Sequence, residues 1–104
     1  MERWYAAAFF AQQAAEKALK ALFIVNRREE SPKTHNLVAI AELLRAPDHI
    51  LAGLRRIGPV YTIARYPDAA NGLPVKMFNR AMAEQAVQDA QDTVQWVAQN
   101  LPSQ

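Results

Sequence analysis

The chain of 104 residues, with 12 Lys+Arg against 10 Asp+Glu, has the length of one domain over 1–104 and enough material for one core with little to spare. Its net charge of +2 is too small for bulk electrostatics to drive nucleic-acid binding, so any anion site must be a local cluster. The lack of cysteine excludes a disulfide framework, a cysteine-type zinc site and thiol catalysis.

Alanine supplies much of the 51% hydrophobic share. It lets helices approach closely but adds little apolar area, so a single copy has a thin core and an oligomer is expected. The longest apolar stretches carry Gln, Glu and Lys, so none reads as a membrane span, and nothing resembles a signal peptide. A cytoplasmic location is the expectation.

No repeat or linker divides the chain, and alternating β-branched runs are absent. The 3.6-residue period gives four helical segments. The first runs from about Arg3 to about Arg28, with a stripe of Ala7, Ala11, Ala14, Ala18, Leu22 and Val25, and Phe10 and Ala21 beside it. Gln13, Lys17 and Lys20 form its polar stripe, and Glu16 can pair with Lys20 one turn on. A polar loop follows, closed to helix by Pro32. Thr34 reads as the N-cap of the second helix, whose buried face is Leu37, Ile40, Ala41 and Leu44.

Ala46-Pro47-Asp48 ends that helix and starts the third. There Ile50, Leu54, Ile57, Tyr61 and Ala64 stay in phase across Gly58-Pro59, which predicts one kinked helix rather than two. Pro67 stops it. Tyr66–Phe78 reads as a loop with a turn at Asn71-Gly72. The last helix runs from about Asn79 to Asn100, with Ala83, Val87, Ala90, Val94, Val97 and Leu101 as its stripe. An all-α, up-down bundle of four to five helices is the economical fold.

Three segments carry a family resemblance. They are the Ala-Gln-Gln-Ala-Ala-Glu-Lys-Ala-Leu-Lys-Ala run at 11–21, Thr34-His35-Asn36-Leu37, and Ala64-Arg65-Tyr66-Pro67-Asp68. In order and spacing they resemble the HEPN family, small helical domains associated with nucleotides and RNA. The resemblance implies a HEPN-like bundle, usually a homodimer with a cleft between subunits. Many members partner a separately encoded minimal nucleotidyltransferase, and others are ribonucleases, often toxins.

Ribonuclease members carry an Arg, four to six residues, then a His, a pair suited to metal-independent cleavage. The Arg matches Arg65, but the residues from Tyr66 to Gly72 include no His. Arg28 and His35 fit the spacing by arithmetic alone, in a loop where the family does not place its pair. No catalytic residue is therefore assigned.

The charged turn Arg65-Tyr66-Pro67-Asp68 is the leading site candidate. A guanidinium fork matches phosphate oxygens, Tyr66 can stack on a base, and Asp68 can orient Arg65. Structural alternatives are a helix end paired to its dipole and an ordinary turn residue. His35 is a ligand or proton-transfer candidate beside the cleft, or a side chain fixing the first turn of a helix. Lys17 and Lys20 line an anion cleft or a solvated face. Arg55-Arg56 reads first as a solvated face, and His49 as a surface residue. Asp89 and Asp92 fall on a Gln-rich, exposed face, and Trp4 and Trp96 are core or interface anchors. Two histidines without a carboxylate at ligand spacing make no metal site, and no cofactor motif is present.

The expected function is a nucleotide- or partner-binding subunit, taking a nucleotide such as ATP and pairing with a minimal nucleotidyltransferase in a toxin–antitoxin-like system. Such partners can place a nucleotide on a tyrosine of the helical protein, and Tyr66 would be the acceptor. The alternatives are a ribonuclease toxin acting on RNA and a structural dimerisation module.

Overall fold

The computed structural model describes residues 2–65 and 80–102, with side chains over 6–57 and 80–102. Among them are four helices and no strand: α1 Glu2–Arg27, α2 Leu37–Leu43, α3 Asp48–Arg65 and α4 Arg80–Asn100. α1 packs on both α3 and α4, α3 also packs on α4, and the short α2 bridges α1 and α3. The all-α bundle expected from the periodicity is what forms. α3 runs as one helix through Gly58 and Pro59, as its in-phase stripe requires.

The start of α2 differs from expectation. Asn36, not Thr34, is the N-cap: its backbone is extended and its side chain accepts from the Ala39 N–H at 3.2 Å. Thr34 acts one step earlier, its Oγ1 accepting the Asn36 N–H at 3.0 Å. Two polar residues were available, and the one adjacent to buried Leu37 starts the helix.

The ends of α1 and α2 use no glycine. After α2, Arg45 takes the left-handed conformation at φ 60, its N–H bonds Glu42 O at 3.0 Å, and the Ala46 N–H returns to Ala41 O at 3.0 Å. This is a Schellman closure with arginine where glycine is usual, at roughly 1–2 kcal/mol of steric cost. Arg28 sits at φ 55 just past α1, with its N–H on Ile24 O at 2.8 Å.

One core joins the helices. Ala11, Ala15, Leu19 and Leu22 of α1 meet Leu37, Ile40 and Ala41 of α2, Ile50, Leu54 and Ile57 of α3, and Ala90 and Val97 of α4. The faces of α2 and α3 are as expected where their side chains are described; Tyr61 and Ala64 have side chains outside that set. The face of α1 is rotated from the expected one. Ala8, Ala15 and Leu19 are buried, whereas Ala14 and Ala21 are exposed and Val25 is 43% exposed. In α4, Ala83, Ala86, Ala90 and Val97 are buried, while Val94 and Leu101 face outward. Trp96 packs at the edge of the core; the Trp4 side chain lies outside the described set.

Candidate functional site

α1 turns its polar residues Gln12, Glu16 and Lys20 to one side at i,i+4 spacing, which sets them one above another. Gln12 Nε2 donates to Glu16 Oε1 at 3.0 Å, and Lys20 Nζ donates to Glu16 Oε2 at 3.0 Å. Gln13 adds a bond to Gln12 Oε1 at 2.8 Å. From the loop before α2, His35 Nδ1 reaches the same carboxylate, at 3.0 Å from Oε2 and 3.2 Å from Oε1. Both Gln12 and Glu16 are buried. With Glu16 ionised, Nδ1 must carry a proton to make this bond, which fixes the ring and its tautomer.

Burial pushes the Glu16 carboxyl up, but hydrogen bonds from Lys20, Gln12 and His35, with the Lys20 charge, outweigh it and hold the carboxyl below its ordinary value of 4.5. A lowered folded value means this contribution to stability is complete above that ordinary value. It is lost as pH falls through the folded one. The effect is modest, on the order of 1 kcal/mol, because the His35 side chain is open to water and the Lys20 side chain is partly so. Glu16→Gln should therefore destabilise the protein by about that much at neutral pH and by less in strong acid. Urea unfolding of both proteins across that pH range checks it.

A second polar knot ties α3 to α4. Arg56 Nη2 and Nε meet the two oxygens of Asp89 at 2.8 and 3.0 Å, a bidentate pair. Gln85 Nε2 donates to Asp89 Oδ1 at 3.0 Å. The bond to Asp89 and its charge raise the Arg56 pKa above its ordinary value. Asp89 is thus buried and paired, not on an exposed face, and Arg56 is engaged rather than presented to phosphate. The cause is Gly53: a Cβ there would lie 3.3 Å from Asp89 Oδ1, so the missing side chain gives the carboxylate its place against α3.

Of the six expected site residues, the structure brings two together. His35 and Lys20 share Glu16, although His35 precedes the N-cap instead of following it. Lys17 is exposed and forms no ion pair among the described residues. Arg65 closes α3, with its side chain outside the described set, and Tyr66 and Asp68 lie outside the described residues, as do Pro67 and the Asn71-Gly72 turn. Glu16 as the partner of His35 escaped the sequence reading. Its signal was the unbroken Gln12-Glu16-Lys20 spacing on a helix otherwise rich in alanine. His49 and Arg55 are exposed, as expected.

Among the described residues, no three His, Asp or Glu cluster as a metal site would require. Nor is any described helix long and apolar enough to cross a membrane.

A small helical bundle whose first long helix is braced through a buried Glu to a His just before the second is the class the fold defines. A family model described as HEPN domain matches residues 1–101. The chain belongs to the HEPN domain family. No curated protein and no solved structure matches it.

Proposed function

We propose that this domain is a nucleotide- or partner-binding HEPN subunit. It works as a cytoplasmic homodimer beside a separately encoded minimal nucleotidyltransferase, in a toxin–antitoxin-like pair. The observation that carries this reading is the end of α3. A HEPN chain keeps Arg65 there and follows it with Tyr66-Pro67-Asp68, with no His before Lys76 and beyond. The arginine suits an anionic ligand, while the missing imidazole removes the proton-transfer partner that RNA cleavage needs. The Glu16–His35–Lys20 cluster supports the same reading. It fixes the loop before α2 against α1, so a cation and an imidazole are held in one place before a ligand arrives.

Calorimetric titration of ATP, repeated with Arg65→Ala, tests this. Binding at tens of micromolar that disappears in the variant is the expected result. Silence toward ATP and toward a co-expressed minimal nucleotidyltransferase would overturn it. Intact mass after that co-expression reports whether Tyr66 accepts a nucleotide. Growth arrest on expression, abolished in Arg65→Ala, would move the assignment to a ribonuclease toxin.

A further inference from the structure

α1 and α4 leave an apolar groove between them on the surface. Its volume is about 530 Å³, and Phe10, Ala14, Ala90, Gln91, Val94 and Gln95 are among the residues that line it. A second hollow of about 270 Å³ extends it past Ala7 toward the start of α4. The groove exists because alanines line the seam, so the two helices meet without large side chains filling the space above them. At its wall stands Phe10, 68% exposed, with its ring held edge-on by Phe9 at 6.0 Å between centroids. Val94, 40% exposed, stands on the α4 side. A bare phenyl ring in water beside an empty apolar groove marks a surface built to be covered.

We infer that a second copy of this chain covers it, each Phe10 entering the other copy's groove. Three observations select a second copy over a different protein. Among the described residues, none that lines the groove is charged, so this face offers a charged partner nothing to recognise and brings no like charges together when it meets itself. Its polar residues are Gln91 and Gln95, whose amides donate and accept and can pair with themselves across a two-fold axis. The projecting ring and the groove that would receive it lie on one face, which is the requirement for a closed, isologous pair. The second hollow borders one charged residue, Glu84, and Arg80 neutralises it at 2.7 Å. The molecule measures 45 × 23 × 21 Å, so its long side can supply the roughly 800 Å² per partner that a stable pair uses. This places the interface for the homodimer proposed above and rests on that proposal.

The test is sedimentation equilibrium of the wild-type chain, Phe10→Glu, Val94→Glu and Ile24→Glu. Ile24 is the control, an apolar residue of α1 that is 48% exposed and does not line the groove. The expected result is a wild-type dimer, kept by Ile24→Glu and weakened about 30-fold or more by each groove variant, the effect of losing a central anchor. Far-UV circular dichroism confirms that the exposed substitutions leave the helices intact. A wild-type dimer untouched by both groove substitutions would overturn the surface while leaving the homodimer standing. A monomeric wild type would overturn both. A monomer that binds a co-expressed nucleotidyltransferase, and loses it in Phe10→Glu, would assign the groove to that partner instead. ATP binding through Arg65 is read independently of all three outcomes.

Discussion

Leu19→Ala should remove about 2–5 kcal/mol of stability, among the largest losses any single substitution can produce here. Leu19 has no exposed surface and lies where α1 meets the rest of the core. Most of its α1 neighbours in that core are alanines, which cannot expand to fill the space a leucine leaves. Small domains have roughly 5–15 kcal/mol in all, so a large fraction goes with one side chain. Val25→Ala is the matched control. Val25 is 43% exposed, so the change should stay within about 0.5 kcal/mol. Urea unfolding of both variants at one fixed protein concentration checks the contrast, since association would otherwise shift the apparent values. Equal losses at the two positions would mean the face of α1 is misassigned.

Arg56→Met should be the most damaging polar substitution. It leaves the Asp89 carboxylate buried with Gln85 as the remaining side-chain donor among the described residues. Stripping a buried carboxylate of its counter-ion destabilises the fold, and the loss is softened here because water reaches the half-exposed Arg56 side of the pair and one donor remains. Adding Asp89→Asn to Arg56→Met should recover part of the loss at neutral pH, because the amide carries no charge to strand. If the double variant is no better than Arg56→Met alone, the bidentate geometry and not the charge is what α3 and α4 depend on.

The fold was readable where large β-branched and leucine side chains set the phase. In α3, Ile50, Leu54 and Ile57 recur at spacings of four and three, and this expected stripe is the buried one. In α1 alanine occurs all round the helix, so several phases fit equally well. The true one also buries Gln12 and Glu16, which any polar–apolar count scores against it. The same happens in α4, where buried Asp89 and Thr93 share a face with Ala86 and Ala90. Thr93 is satisfied within its own helix, donating to Asp89 O at 3.0 Å, and nothing in its spacing announces that. Helix ends were hidden too, since Arg28 and Arg45 do what glycine ordinarily does.

The site was legible as chemistry but not as geometry. The pairing of Glu16 with Lys20 follows from helix spacing. Its meeting with His35, 19 positions away, depends on how a loop folds back, which no local pattern encodes. Arg56 and Asp89, 33 positions apart, are joined in the same way.

The seven residues of α2 are too few to hold a helix by themselves. Its order is borrowed from α1 through two polar ties, His35 on Glu16 before it and Arg27 Nη2 donating to Leu43 O at 2.6 Å at its far end. Releasing both ties leaves α2 held by the apolar contacts of Leu37, Ile40 and Ala41. Among the described helices, α2 is therefore expected to open first. In native-state hydrogen exchange its amide protons should exchange through that partial opening, at a lower free energy than those of α1 or α3.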